Sequence, residues 1–212
     1  MDIPGILELL HLAHGRYEAI EARVRSWRDP AVASMARARW LRREDAEPRI
    51  GPIETIEHVW YEAEDRWRME RESDPPGKRF VHVQSGRQCW RFDPKAPNYS
   101  GTFEGTFFGD VVGHPLLWEP NVLIPEMWFG SGLETSVAGR EAIRVETTRR
   151  PTSHDYIVAI PWADAYELAI DAERGVLLRL ASRFEGQDAH VEEVLEINLD
   201  PEVPDETFLI PG

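Results

Sequence analysis

Polar and apolar residues alternate with period two over most of the chain, most cleanly near its end. Tyr166, Leu168 and Ile170 alternate with Glu167, Ala169 and Asp171. Val176, Leu178, Leu180 and Phe184 share one side, with Arg179, Arg183 and Glu185 on the other. Val191, Leu195, Ile197 and Leu199 oppose Glu192, Glu196 and Asn198. One apolar side per strand predicts antiparallel strands half-buried against another layer. Asp171 to Gly175 and Glu185 to Asp188 supply the turns, with glycine available for positive φ. On this reading Glu192 and Glu193 are a solvated pair.

The same period recurs upstream. Ile20, Ala22 and Val24 oppose Glu21, Arg23 and Arg25 in a first strand within 17–27. Residues 54–62 and 65–73 make a hairpin around Ala63 and Glu64, with Trp67 and Met69 on one side and Arg66, Arg68 and Glu70 on the other. Residues 79–84 and 88–92 make a second hairpin, with Trp90 and Phe92 on its inner face. Strands resume at 134–138, 140–147 and 154–160.

Helical spacing is clear at the start: Ile3, Ile6, Leu7, Leu10 and His14, with Asp2 as cap, Pro4 in the first turn and Gly15 as stop. So short a helix must dock on something to persist. Residues 35–43 suit a helix by composition and a strand by alternation of Ala36, Ala38 and Trp40 with Arg37, Arg39 and Leu41; the strand is preferred. From 95 to 132 the alternation is lost among aromatics and prolines, with helical turns at Leu116-Leu117 and Glu126-Met127-Trp128. The order is strands, an irregular insertion, then strands. It predicts one antiparallel sheet in a single domain, 1–212, with helical pieces on its inner face.

Composition narrows the partners. With 24 basic and 38 acidic residues the net charge is −14, which disfavours nucleic acid. Cys89 is the single cysteine, so no internal disulfide forms, and its strand-like setting predicts a buried, inert thiol. No apolar stretch approaches the ~18 residues of a membrane span. No basic region precedes the first apolar segment, so the chain as written reads as cytoplasmic, the alternative being an exported protein whose leader is removed.

Catalytic patterns are missing. His11 and His14 lie one helical turn apart, but spacing offers no third metal ligand. His154 and Asp155 are strand neighbours and point to opposite faces. There is no nucleophile elbow, phosphate loop or dinucleotide-binding glycine pattern. No catalytic residue, metal or cofactor is assigned. Eight tryptophans point instead to core packing or to a cavity wall. Trp67, Trp90, Phe92, Phe107, Trp118 and Trp128 are the candidate ligand contacts, with residues 103–128 as a lid.

Several runs occur in a telling order. Val59-Trp60-Tyr61-Glu62 and Asp65-Arg66-Trp67-Arg68 are followed by Trp90-Arg91-Phe92-Asp93-Pro94 and Pro115-Leu116-Leu117. Then come Val137 to Val145, Ile170-Asp171, Gly175 to Arg179, and a tail Val203-Pro204-Asp205-Glu206-Thr207-Phe208. This order resembles the LolA/LolB-like superfamily of lipoprotein carriers, including sensor domains of the RseB kind. The resemblance implies a mainly β (α+β) fold, an antiparallel half-open β-barrel with short helices plugging its concave face. It also implies a non-enzymatic carrier or sensor for a hydrophobic small molecule or acyl chain. The alternatives are a protein-interaction module with a protein partner and, last, a hydrolase on the same scaffold. His114 or His154 beside a carboxylate at a pocket mouth would mark the hydrolase.

Overall fold

The computed structural model describes residues 1–41, 53–62, 66–73, 78–93, 99–102, 117–150 and 163–209. Helix α1, Ile3–Leu12, forms as its caps predict: the Asp2 side chain accepts from the Gly5 amide at 3.1 Å and proline occupies the first turn. A 3-10 turn, Ala13–Gly15, ends it. The i, i+3, i+4 stripe Ile6, Leu9, Leu10 is buried.

Strand β1, Ala19–Arg28, leads into helix α2, Pro30–Leu41, where the alternation favoured a strand. The reason is local. Asp29 Oδ1 accepts from the Ala31 and Val32 amides at 2.8 and 3.2 Å, Pro30 suits a first turn, and an Ala/Arg-rich run has high helix propensity. Strands β2 (Ile53–Glu62), β3 (Arg66–Ser73), β4 (Lys78–Ser85), β5 (Gln88–Phe92) and β6 (Tyr99–Thr102) follow. A 3-10 turn, Pro120–Leu123, precedes β7 (Met127–Phe129), β8 (Leu133–Val137) and β9 (Arg140–Arg149). Strands β10 (Ala165–Asp171), β11 (Leu177–Phe184) and β12 (Gln187–Leu199) and a 3-10 turn, Asp205–Phe208, complete the order. The helical turn expected at Glu126-Met127-Trp128 is instead strand β7, because Met127 and Trp128 pair with Arg149 and Thr148 of β9. The 154–160 strand, the Ala63-Glu64 turn and most of the expected lid lie outside the described residues.

The strands form one sheet in the order β6-β5-β4-β3-β2-β1-β12-β11-β10-β9-β7, with β8 also on β9. From β1 to β6 and from β9 to β12 successive strands are neighbours, β7 and β8 both pair with β9, and β1 beside β12 joins distant parts of the chain. The terminal strands β6 and β7 do not pair with each other, so the sheet is not closed. The fold class is therefore a mainly antiparallel, half-open β fold with short helices.

By compactness the chain separates into two units. One comprises Met1–Arg16, Arg25–Glu54 and Phe108–Val194; the other Tyr17–Val24, Thr55–Phe107 and Leu195–Gly212.

In the first unit, one face of the sheet carries Ile143, Val145, Leu168, Ile170 and Leu180, which the strand register sets side by side. Helix α1 lies over this face. A Cβ on Gly132 would stand 2.3 Å from Ile143 Cγ2 and 3.3 Å from Ile6 Cδ1, so the helix and strand side chains close around that glycine. The start of α1 is tied down by a reciprocal backbone pair between Met1 and Gly132, both 2.9 Å. Helix α2 attaches through Val32, Ala33 and Ala36, which pack on Phe184 and Ala189. The opposite face carries charge. Arg179 and Arg183 approach Glu167 at 3.4 and 3.1 Å, and Arg25 donates to Glu193 at 2.8 Å. Strand β10 is buried on both faces, not one: Glu167 is 7% and Asp171 0% exposed. Pairing permits this. Asp171 binds Arg140 and caps its own turn by accepting from the Glu173 and Arg174 amides at 3.0 and 2.7 Å.

In the second unit, β2 to β6 form a meander. Tyr61, Trp67, Gln84 and Cys89 share one face by register, and Trp60, Arg68, Val83 and Trp90 share the other. The chain's last turn packs on the latter: Arg68 donates to the Thr207 carbonyl at 3.1 Å, Arg66 pairs with Asp205 at 2.7 Å, and Phe208 is buried with the Arg66 guanidinium 4.9 Å from its ring. Cys89 is 2% exposed, the buried thiol its setting predicted.

Candidate functional site

On the helix-covered face of the first unit, two rows of side chains cross the strands. One runs Val145, Leu168, Leu180, Glu192 and the other Thr147, Tyr166, Ser182, His190, from β9 through β12. Directly paired residues of an antiparallel sheet point to the same side, so each row is a line of neighbouring side chains. Ser26 of β1 extends the second row, its Oγ 3.2 Å from His190 Nε2. The first row begins as hydrocarbon on β9 and β10 and ends in a carboxyl on β12, whereas the second carries polar groups throughout. Ser182 and Glu192 are fully buried and His190 is 3% exposed.

This corrects the reading of Glu192 as solvated. Val191 and Glu192 are both buried although strand neighbours face opposite ways, because β12 is covered on both sides. A register shift between Ser182 and Arg183 adds a local irregularity that no alternation reveals. Part of the signal was nevertheless legible. Ser182 stands in phase with Leu178 and Leu180, a hydroxyl at an apolar-side position.

Glu192 Oε1 lies 3.7 Å from His190 Nε2, the same nitrogen that Ser26 approaches. A nucleophile relay needs its acid on the other ring nitrogen, so Ser26, His190 and Glu192 are not arranged as one. Thr147 Oγ1 donates to Met127 Sδ at 3.2 Å. Ser182 Oγ is buried with no hydrogen-bond partner among the described residues.

Five of the six predicted aromatic contacts lie among the described residues, Trp118 and Trp128 in the first unit and Trp67, Trp90 and Phe92 in the second. Trp118 is 1% exposed in the first unit, whose core also holds Leu117, Leu123 and Met127. Trp128, on β7 in the same unit, is 57% exposed with the Arg150 guanidinium 4.1 Å from its ring. In the second unit Trp90 stacks on Phe92 at 6.2 Å between ring centroids. Trp67 stands on the opposite face of that meander, donating to Gln84 Oε1 at 3.1 Å and meeting His82 edge-on at 4.5 Å. Period two predicts alternation within a strand but not which parity of one hairpin faces that of the next, and the register places Trp67 and Trp90 apart. Phe107, His114 and His154 lie outside the described residues. His11 and His14 are exposed.

No family model and no curated protein matches the chain. Solved structures do. MucB of Pseudomonas aeruginosa, in its MucA/MucB complex, superposes with a TM-score of 0.59 at 17% identity, covering 97% of this chain and 61% of that one. This chain thus spans about three fifths of the MucB chain. An uncharacterized conserved protein from Thermus thermophilus gives 0.55 at 11% identity, covering 98% and 93%. LprF from Mycobacterium bovis gives 0.51 at 9%, covering 96% of each. Identities this low establish likeness of fold alone. The chain thus shares its fold with the MucB, Thermus thermophilus and LprF structures.

Proposed function

We propose that the chain is a non-enzymatic binding protein, a carrier or sensor, that holds a hydrophobic, lipid-like ligand on the helix-covered side of its half-open sheet. The observation that supports this most is how the apolar wall of the first unit is covered: by short helices. Among its described side chains, helix α2 contributes Val32, Ala33 and Ala36 to its buried cluster. Five buried side-chain carbons are worth about 4 kcal/mol at ~0.8 kcal/mol each. An acyl chain of a dozen methylenes gains roughly 10 kcal/mol on the same scale, more than those three side chains contribute. Trp118 is the aromatic contact we retain first, because it lies in the same unit as the wall. Trp67 and the Trp90–Phe92 pair, on opposite faces, do not line one cavity together.

Fluorescence titration with cis-parinaric acid tests the reading. Saturable binding at one site is the expected result. A signal that rises linearly to the solubility limit overturns it.

A protein partner is the second reading, and the MucA/MucB complex favours it. With a net charge of −14 the partner would be basic and its association rate would fall with salt. An exported location goes with either reading and is supported by the MucB structure with MucA(peri). No helix among the described residues is long and apolar enough to cross a membrane.

A further inference from the structure

A sheet that does not close has an end, and the backbone groups along that end need partners. In the first unit the end is β7 and β8, which both lie against β9. The β8–β9 hairpin closes through Ala138 and Gly139, with φ of +52° and +74°, a two-residue turn flanked by the paired Val137 and Arg140. Hydrogen bonding alternates along an antiparallel strand. Val137, Thr135 and Leu133 therefore turn their N–H and C=O groups toward β9, and Ser136 and Glu134 turn theirs outward. Gly132 comes next in the outward phase, and there the edge is taken: Gly132 and Met1 exchange both backbone hydrogen bonds, each 2.9 Å. That exchange is one rung of an antiparallel ladder. Among the described residues the ladder goes no further, and β8 pairs with β9 alone.

The strand lacks the usual protection of an edge. Leu133–Val137 contains no proline or lysine, and its one charge is Glu134. Leu133 is 60% exposed and Trp128 is 57% exposed. Their register with Arg144 and Thr148 of β9 sets both on one face of the sheet. Large apolar side chains thus stand in solvent beside outward-turned backbone groups.

We infer that β8 is a docking edge for an extended segment of a protein partner, added antiparallel in continuation of the Met1 rung. The chemistry of that segment follows from the two faces of β8. Residues across from Leu133, Thr135 and Val137 are apolar or β-branched, and the residue across from Glu134 is lysine or arginine. A second copy of this chain fits less well. Pairing β8 with itself through both outward residues sets Glu134 against Ser136. Ala138 of the copy then falls across from Gly132, where Met1 already sits. The inference goes beyond the ligand reading above and does not depend on it, since the rim of the sheet is not its helix-covered wall.

The experiment uses the whole chain, isotope-labelled, and the peptide acetyl-VTVKV-amide, whose threonine and lysine come to lie across from Ser136 and Glu134. In an NMR titration the amides of Glu134 and Ser136 are expected to shift saturably. N-methylation of the peptide lysine, whose N–H faces β8, is expected to weaken binding about fivefold, the worth of one hydrogen bond. N-methylation of the central valine, whose N–H faces away, is expected to change it by less than about twofold. Charge is the same in both peptides, so general attraction to an acidic chain cancels, and equal effects overturn the edge pairing. Ser136→Pro removes an outward donor and leaves the pairing with β9 intact; about a fivefold loss is expected, and unchanged affinity overturns the inference. Should that variant unfold, the N-methyl comparison decides, because it leaves the protein untouched. Glu134→Lys is expected to reverse the preference for acetyl-VTVKV-amide over acetyl-VTVEV-amide, about threefold in each direction. A preference that does not move overturns the charge assignment. If the β8 amides stay still throughout the titration, the inference fails and the ligand reading stands. A dimer whose β8 amides are already protected from exchange makes the second copy the occupant and overturns the inference.

Discussion

Single residues show how burial, more than residue type, sets chemical behaviour in this chain. His82 lies on β4, 4% exposed, with Trp67 edge-on to its ring and Arg91 as its register partner on β5. Burial, and then the nearby Arg91 charge, push its pKa down to about 4. The fold thus keeps His82 neutral while the unfolded chain protonates it near pH 6.5. Above that pH both states are neutral and the residue adds no pH dependence. As pH falls from about 6.5 to about 4 the unfolded state alone gains the proton, and stability drops by up to about 3 kcal/mol. His82→Phe keeps a ring against Trp67 and removes the titration. In urea unfolding at pH 7.5 and 4.5 the variant is expected to lose about 2–3 kcal/mol less stability than the parent. Parallel losses in the two proteins would refute the assignment. The sequence carried no sign of this: Val81, His82, Val83 and Gln84 are all buried, so alternation gives no clue to which face is covered.

At the scale of elements, caps and turns were more reliable guides than alternation. Asp2 and Pro4 announced α1 and Asp171 to Gly175 announced a turn; both are where they were expected. Alternation misled at α2, since a short Ala/Arg run fits two periods equally and Asp29-Pro30 decides between them. It also missed β6 and β7, four and three residues long, which exist through their pairing with β5 and β9. The seat of α1 on the β10–β11 turn gives a sharp test. Gly175 has φ +80°, and a Cβ there would lie 2.2 Å from the Leu9 carbonyl oxygen and 3.3 Å from Ala13 Cβ. Gly186 has φ +78° and open space around it. Gly186→Ala is expected to cost about 1 kcal/mol, the left-handed penalty alone. Gly175→Ala is expected to cost at least twice that, because α1 must also move. Equal costs in chemical denaturation would show that α1 is not seated against this turn.

For the molecule as a whole, the two compact units are each assembled from three separated stretches of chain, and β1 and β12 pass through both. Neither unit is a continuous segment able to fold before the rest of the chain is made. Thermal unfolding is therefore expected to be one transition, coincident by near-ultraviolet and far-ultraviolet circular dichroism. Two resolved transitions would establish independently folding units. The overall plan was legible because it depends on the order of elements: an early helix, hairpins, an irregular stretch, a closing meander. That order survived local errors in α2 and β7.

Strand period, turn chemistry and capping are properties of neighbouring residues, so the sequence by itself determined the antiparallel sheet, the first helix and the turns that separate the last strands. The sharing of faces is a property of register, and register is settled by pairing partners that lie far apart along the chain. Only the tertiary structure therefore decided that Trp67 and Trp90 face opposite ways. It alone decided that Glu192 is buried, because that requires both sides of β12 to be covered. The same pairing drew Ser182 and His190 together into a buried polar row, since no local pattern records which strands become neighbours.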